Sequence, residues 1–203
     1  MSRRRRAGII VLCLLAALVF IWLDHSSVNP ALRSKPKSEE RAKSSDFKKY
    51  HAKTFTVINV VDGDTIDINI PDGQYDHTRI RLWGVDTPET KSPKVGVMYY
   101  GPEASEFTKK VTLEKQVAIY LDKANPSRGK YGRLLAYVQL PDKTFLNETL
   151  LSEGFAYADT RFRHSFYNQY KQLEAAARSA KKGLWQNVTP NQWPQWRQRK
   201  KNR

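Results

Sequence analysis

Two carboxylates lie close together in the segment GVDTPETKSP, where Asp86 and Glu89 are only three positions apart. The proline between them disfavours a helix, so the segment is expected to be a loop. Carboxylate and carbonyl oxygens are the ligands that hard cations such as Ca²⁺ prefer. In a chain with a net charge of +15, two neighbouring acids predict either a turn or a site for a positive ion.

A complementary set of polar residues lies at the ends of predicted strands: Asp64, Arg81, Lys130, Tyr131 and Arg133. Two carboxylates and a carbonyl oxygen can hold a hard cation, while a further carboxylate, Glu89, could orient or deprotonate a water molecule. Two guanidinium groups can bind phosphate oxygens bidentately and stabilise the charge that develops in the transition state. This combination predicts metal-dependent hydrolysis of a phosphodiester.

Each of these residues also has a purely structural interpretation. Asp62 and Asp64 flank Gly63 and could serve only as turn residues, as could Asp86 before Thr-Pro. Arg133 could be an ordinary charge on the surface of a strand. We favour the catalytic interpretation because the set contains every group that a metal-dependent phosphodiesterase needs.

The sequence also bears on two other metal chemistries. Asp64 followed by Glu89-Thr90-Lys91 matches the loose D…E-x-K pattern of magnesium nucleases, which are built on a mixed α/β sheet. The four histidines are scattered and no H-E-x-x-H motif occurs, which argues against zinc. The single cysteine, Cys13, excludes an intrachain disulfide and a cysteine-based metal site.

The charge distribution suggests a polyanionic partner. The net charge is +5 for residues 1–47, +5 for residues 48–186 and +5 for residues 187–203. Lys and Arg side chains gain affinity for nucleic acid by releasing its counterions, although the same excess could simply keep the chain soluble.

The N-terminus predicts a membrane segment. Arg3 to Arg6 precede an uninterrupted apolar run from Ala7 to Leu23, which at about 1.5 Å per residue just spans a bilayer. A cleaved signal peptide is the alternative, but the residues that follow, WLDHSSVNP, offer only a poor A-x-A-like cleavage site. We therefore expect residues 1–23 to be an uncleaved signal anchor and the rest of the chain to be exported, with secretion after cleavage as the alternative.

Secondary structure is expected mainly between residues 51 and 186. TFTVINVV, TIDINI, TRIRLWGV, QVAIYL and RLLAYVQL predict strands, and three helices are predicted at GPEASEFTKKVTLE, FLNETLLSEG and SFYNQYKQLEAAARSAKKGLW. Residues 24–50 are predicted to be a flexible linker. Residues 187–203 are predicted to be a basic tail too rich in Pro and Gln to pack regularly. This order predicts a five-stranded Greek-key barrel of the OB-fold type with three helices.

The motifs VVDGDTI, RIRLWGVDTPETKSPKVGVMYYGPEASEFTKK, KYGRLLAYV, LNETLLSEGFA and AKKGLW resemble the staphylococcal nuclease (thermonuclease) family. They occur in the same order and with nearly the same spacing, and they cover roughly residues 54–186. The resemblance implies an OB barrel with three helices. It also implies a calcium-dependent nuclease that cleaves the 5′ P–O bond of DNA and RNA with little base preference and leaves 3′-phosphate ends.

The resemblance further implies a role for each site residue. Asp64 and Asp86 would bind calcium through their carboxylates, and Thr87 would bind it through its backbone carbonyl. Glu89 would be the candidate general base. Arg81 and Arg133 would bind the phosphate. Lys130 and Tyr131 would contact the terminal phosphate of the substrate. Asp62 would lie next to the metal ligands without binding the ion itself.

The sequence departs from the family where two tyrosines would stack on bases, because Thr160 and Phe162 occupy those positions. Phe162 can still stack on a base, and Tyr157 or Tyr167 are alternative stacking residues.

These features are compatible with three functions. The first is a monomeric, membrane-tethered nuclease acting on DNA and RNA, preferably single-stranded. The second is a non-catalytic OB-fold module that captures nucleic acid at a membrane, for which acids beside a phosphate would be unnecessary. In the third, the anchor and the basic tail link a membrane to an anionic polymer. The complete set of acids and arginines favours the first.

Overall fold

The computed structural model describes residues 37–91 and 96–201. The predicted signal anchor lies outside these residues. None of the helices within the described ranges is long and apolar enough to cross a bilayer. Residues 41–203 form one compact unit, and of the preceding unit, residues 1–40, only the start of a helix is described.

Seven strands are present in the described residues: β1 (Lys53–Asp62), β2 (Thr65–Ile68), β3 (Thr78–Leu82), β4 (Val85–Asp86), β5 (Gln116–Tyr120), β6 (Leu134–Gln139) and β7 (Tyr157–Ala158). Five of them close into a barrel in the order β1-β2-β3-β6-β5. All pairs in the barrel are antiparallel except β3 with β6, which run parallel. The predicted five-stranded OB-type barrel is therefore confirmed.

The barrel forms because its strands bury apolar side chains: burial alternates along β3, whereas every residue of β6 from Leu134 to Val138 is buried. The side chains of Ile66, Ile80, Val117 and Leu134 are fully buried inside it. Asp62 pairs with Thr65, so the predicted hairpin at Asp-Gly-Asp is present and its turn lies at one end of the barrel.

Five α-helices occur in the described residues, not the predicted three: α1 (Lys37–Tyr50), α2 (Gly101–Thr112), α3 (Leu146–Ser152), α4 (Tyr167–Ser179) and α5 (Gln195–Lys201). The three predicted helices correspond to α2, α3 and α4. The two additional helices lie in segments that the sequence assigned to the linker and to the tail.

The prediction that residues 24–50 form a flexible linker is wrong for residues 37–50, which form α1. Within the compact unit, Asp46 accepts hydrogen bonds from Ser127 and Arg128. Tyr50 is fully buried and shares a hydrogen bond with Thr78. The Ser-rich composition concealed acids in the first turn and lysines in the last, which stabilise a helix through its dipole.

The packing of α1 predicts a large effect of Tyr50→Ala. The substitution removes a fully buried ring and is expected to lower the free energy of unfolding by about 3 kcal/mol. Urea denaturation would measure the change, with Ser44→Ala at an exposed position of α1 as the control. Equal stability of the two variants would show that α1 does not pack against the barrel.

The prediction that the tail does not pack regularly is also wrong. Thr189 caps a short 3₁₀ helix, Pro190–Gln192, and α5 follows it. Trp193 and Trp196 pack against a second apolar cluster, whose buried members are Tyr157, Ala177, Leu184 and Trp185. Aromatic rings therefore fold this segment despite its Pro- and Gln-rich composition, because each ring buries a large apolar area.

A small two-stranded sheet links two distant parts of the chain. In it β4 pairs with β7, so Val85 lies opposite Ala158 and Asp86 lies opposite Tyr157. This pairing brings the loop that follows β7 next to the acids that follow β3.

Candidate active site

Asp64 directly precedes β2 and is almost completely buried. Its carboxylate accepts hydrogen bonds from the Thr65 hydroxyl at 3.0 Å, from the Thr87 backbone N–H at 2.9 Å and from Arg81. The turn before it needs glycine, since a Cβ on Gly63 would lie 2.8 Å from the Thr87 hydroxyl. The hairpin and the acidic loop therefore meet closely at this point.

Arg81 bridges the two predicted metal ligands. It lies on β3 opposite Thr65, and its guanidinium donates to Asp64 and, at 2.5 Å, to Asp86. A weaker contact of 3.3 Å reaches the carbonyl of Val85. One half-buried cation thus holds both carboxylates at the same end of the barrel.

The surroundings of Asp64 disfavour the charged form of its carboxyl. Burial raises the pKa of its carboxyl, and Asp86 and Asp62 raise it further. Arg81 and the Thr87 N–H act in the opposite direction, yet the pKa still reaches about 6. A cation at this position would relieve the repulsion between the carboxylates.

The donor set suits a hard cation such as calcium. Within residues 37–91 and 96–201, no three or more His, Cys, Asp or Glu side chains are grouped closely enough to hold an ion by themselves. An ion bound by Asp64 and Asp86 would therefore need backbone carbonyls and water as well, which is usual for oxygen-ligated cations. The Thr87 hydroxyl is buried there without a hydrogen-bond partner among the described residues.

Glu89 lies in the same electrostatic field. Burial raises the pKa of its carboxyl, and Asp62, Asp64 and Asp86 raise it further, while Arg81 opposes them. A carboxylate with a raised pKa is a better proton acceptor near neutral pH than an ordinary one.

The backbone around Glu89 is held at both sides. Its carbonyl accepts a hydrogen bond from the N–H of Met98 at 2.8 Å, and the hydroxyl of Thr90 donates to Asp62 at 3.0 Å. A Cβ on Gly101, the first residue of α2, would lie 2.7 Å from the Glu89 carbonyl oxygen. Asp62 therefore connects the hairpin to the loop that carries Glu89.

Seven of the ten predicted site residues line one cleft of about 750 Å³: Arg81, Asp86, Glu89, Lys130, Tyr131, Arg133 and Phe162. The other three, Asp62, Asp64 and Thr87, are not among its lining residues, although hydrogen bonds connect them to the same loops. The barrel therefore brings the whole predicted set to one end.

Arg133 differs from Arg81 in having no ion-pair partner among the described residues. It is half-buried, with its guanidinium 5.8 Å from the Tyr131 ring. Burial and the charge of Arg81 lower its pKa, against the opposing effect of Asp64 and Glu89. A half-buried cation without a counterion is a favourable site for an anion such as phosphate.

The predicted substrate-contacting residues are largely exposed. Lys130 and Tyr131 lie on one loop, and Tyr131 is 77% exposed. Phe162 is 55% exposed and stacks on Trp83, with ring centroids 6.2 Å apart. The alternative that Tyr157 stacks on bases is wrong, because its ring is fully buried in the second apolar cluster.

Tyr167, the other alternative, is half-buried at the start of α4. The guanidinium of Arg163 lies 4.1 Å from the centre of its ring, so one face of the ring is already covered.

Asp122 fixes the loop that carries Phe162. Its carboxylate accepts 2.8 Å hydrogen bonds from the backbone N–H groups of Ala124 and Ser165 and from the Tyr137 hydroxyl. Burial alone would raise the pKa of Asp122, but these hydrogen bonds outweigh it and lower the pKa to about 2.

This shift predicts a dependence of stability on pH. Because the folded-state pKa of Asp122 is depressed, its contribution is present above about pH 4 and is lost as the pH falls towards 2. Asp122→Asn is expected to remove a contribution of about 1 kcal/mol at neutral pH and to flatten the stability curve in that window. Urea denaturation from pH 2 to pH 7 tests this, with exposed Glu106→Gln as the control; identical curves for wild type and Asp122→Asn would contradict it.

Sequence reasoning missed two residues that contact Asp86. Arg161 donates to Asp86 at 3.2 Å and is itself held by both carboxylate oxygens of Asp159. The indole N–H of Trp196 donates to the other oxygen of Asp86 at 2.8 Å. Arg161 lies between Thr160 and Phe162, which occupy the positions of the two base-stacking tyrosines of the family. Its place between them is the signal by which the sequence could have indicated it.

Comparison with known proteins identifies the family. A family model described as "Staphylococcal nuclease homologue" matches residues 79–187. The chain belongs to this family. The predicted resemblance to staphylococcal nuclease is therefore confirmed.

Individual members of the staphylococcal nuclease family agree with the match. The thermonuclease of Staphylococcus hyicus is 40% identical over 146 residues, which are 71% of this chain and 83% of that protein. The thermonuclease of Staphylococcus intermedius is 42% identical over 140 residues, 66% of this chain and 76% of its own. The endonuclease YncB of Bacillus subtilis is 39% identical over 132 residues, 64% of this chain and 60% of its own.

Membership in a family of nucleases makes this chain a nuclease whose substrate is nucleic acid. The alternative of a non-catalytic OB module is not supported. The D…E-x-K interpretation is not supported either, because the acids lie on a closed barrel and not on a mixed α/β sheet.

Proposed function

We propose that this nuclease depends on calcium, hydrolyses the 5′ P–O bond of DNA and RNA, and leaves 3′-phosphate ends. The observation that carries the proposal is the composition of the cleft. An electronegative group of buried carboxylates lies beside Arg133, a half-buried cation with no ion-pair partner among the described residues. The carboxylates suit a cation, and Arg133 suits a phosphate.

Asp64, Asp86 and the backbone carbonyl of Thr87 would hold the ion. The bound ion would supply a positive charge that neutralises the phosphate and lowers the pKa of a bound water molecule. The raised pKa of Asp64 supports this assignment, because burial, and to a smaller extent the charges of Asp86 and Asp62, disfavours a carboxylate that a bound cation would stabilise.

Glu89 would accept a proton from the attacking water. Its position in the cleft and its raised pKa both support this role, since burial and the neighbouring acids favour the protonated form that results. Asp62 would keep the loop of Glu89 in place through the hydroxyl of Thr90.

Arg81 and Arg133 would stabilise the negative charge that the phosphate gains in the transition state. Arg133 gains a counterion when phosphate enters the cleft, whereas Arg81 already contacts both acids and would orient them as well. The planar guanidinium donates two parallel hydrogen bonds, which a lysine cannot do.

The rest of the cleft suits a single strand. Lys130 and Tyr131, which line the cleft, would contact a terminal phosphate, and exposed Phe162, stacked on Trp83, would offer a face for an unpaired base. Every base can stack on an aromatic ring, and contacts to the backbone do not depend on the base, which accounts for the proposed lack of base preference. The protein is proposed to act as a monomer.

We also propose that residues 1–23 anchor the chain in a membrane and that the nuclease lies on the exported side. The support is the sequence, in which four arginines precede an apolar run long enough to span a bilayer.

The test is cleavage by the full chain in mild detergent, with end-labelled single-stranded DNA and RNA and with Ca²⁺, Mg²⁺ or chelator. Calcium-dependent cleavage of both polymers is expected, and the 3′ ends should become extendable only after phosphatase treatment. Cleavage in chelator, or products with free 3′-hydroxyls, would overturn the proposal.

A further inference from the structure

The carboxylate of Asp86 is held by three side chains in the described part of the chain. Its Oδ1 accepts hydrogen bonds from Arg81 at 2.5 Å and from Arg161 at 3.2 Å. Its Oδ2 accepts one from the indole N–H of Trp196 at 2.8 Å. Trp196 is 110 residues away along the chain, in the segment that follows the matched family domain.

The number of donors determines which oxygen is available to a cation. A carboxylate has about four lone-pair positions, two on each oxygen. Arg81 and Arg161 occupy both positions on Oδ1, and Trp196 occupies one on Oδ2. Asp86 therefore keeps one position, on Oδ2, and the indole determines the direction in which that position points.

Trp196 is itself held firmly. The next residue, Arg197, makes an ion pair with Glu174 on α4, and its guanidinium lies 5.1 Å from the ring of Trp193 and 5.3 Å from that of Trp185. Gln198 donates to the carbonyl of Trp193 at 2.6 Å. An indole on such a support can act as a fixed donor, because little conformational freedom remains to be lost.

The ring of Trp196 also supports Arg161. The guanidinium of Arg161 lies 5.0 Å from the Trp196 ring and 5.9 Å from the Phe162 ring, and Asp159 holds it in that position. Without the indole donor, the two arginines would still hold Oδ1, but both lone-pair positions of Oδ2 would be open and no contact would decide which of them faces the cation.

We propose that the C-terminal segment, residues 187–201, is part of the active site, and that Trp196 is a positioning residue that directs Oδ2 of Asp86 towards the metal ion. This inference rests on the proposed calcium site. It assigns a function to a segment that the family model, which ends at residue 187, leaves without one.

The variant Trp196→Phe tests the proposal, because it keeps an aromatic ring over Arg161 and removes only the donor. Loss of such an outer hydrogen bond is expected to weaken Ca²⁺ binding about tenfold, as measured by calorimetry on the full chain in detergent. The matched control is Trp185→Phe, since the indole N–H of Trp185 is buried without a hydrogen-bond partner among the described residues. Its calcium affinity should equal that of wild type.

Two further readouts separate positioning from a merely structural role. The thermal midpoint in chelator should be the same for Trp196→Phe and wild type, and the KM for single-stranded DNA at saturating calcium should be unchanged. If the thermal midpoint of Trp196→Phe in chelator fell far enough to account for its lower calcium affinity, the substitution would have damaged the structure, and the inference would be overturned.

The outcomes also separate this inference from the proposed function. If wild type binds calcium and cleaves while Trp196→Phe keeps the same affinity, the inference fails and the proposed function stands. If wild type neither binds calcium nor needs it for cleavage, the proposed function fails and the inference fails with it.

Discussion

Glu89→Gln is expected to lower the kcat for cleavage of single-stranded DNA by about 10²- to 10⁴-fold, the usual contribution of a positioned general base. Glutamine has nearly the same shape but cannot accept a proton from water. The variant should still bind calcium, because Glu89 is not one of the proposed ligands. Single-turnover cleavage at saturating calcium measures the effect directly.

The control for this prediction is Glu103→Gln, an exposed acid in the first turn of α2 outside the lining of the cleft. Its kcat should be that of wild type. If Glu89→Gln cleaved as fast as the control, Glu89 would not be the base, and another group would have to accept the proton.

Arg133→Lys is expected to lower kcat by about 10²- to 10³-fold, the typical loss for one donor that stabilises charge in a transition state. The substitution keeps the positive charge but removes the planar pair of N–H groups. Because Arg133 makes no ion pair with another described residue, its replacement should disturb the acids less than replacement of Arg81. Calcium affinity and thermal stability should therefore change little.

Exposed Arg41→Lys on α1 serves as the matched control and should leave kcat unaltered. If Arg133→Lys raised only KM and left kcat intact, Arg133 would bind the substrate and its transition state equally well. Its role would then be affinity alone.

Much of the fold could be predicted because local signals and tertiary packing agree. The strand that contains Ile66 and the one that contains Ile80 show β-branched alternation, and both bury those residues completely. The sequence Asp62-Gly63-Asp64 is a strong hairpin signal, and β1 and β2 pair as a hairpin around it. Five such strands with helices in this order have few alternatives to a closed barrel.

Other parts could not be predicted because distant contacts create them. Residues 37–50 have the composition of a linker, and the ion pair that holds Asp46 comes from Arg128, 82 residues further along the chain. β4 and β7 contain two residues each, and only their pairing with each other makes them strands. The tail folds because Arg197 lies against the rings of Tyr157, Trp185 and Trp193, which no local pattern reveals.

The residues of the candidate site likewise fall into those that the sequence could predict and those that it could not. Asp64, Asp86 and Glu89 were found because acids in a basic chain stand out and because the segment around them resembles a known family. Arg161 and Trp196 were missed because each reaches Asp86 across at least 75 residues of sequence. Contacts of that kind depend on the folded chain.

Calcium binding by Asp86→Asn, measured together with cleavage in the same sample, tests the central claim most directly. The wild-type chain should bind calcium over the concentration range in which cleavage begins, because the same ion supports both. Asp86→Asn removes a charged ligand at a partly exposed position and should lose calcium binding and cleavage together. Undiminished calcium affinity in Asp86→Asn, or cleavage by wild type in the absence of any bound ion, would contradict the account.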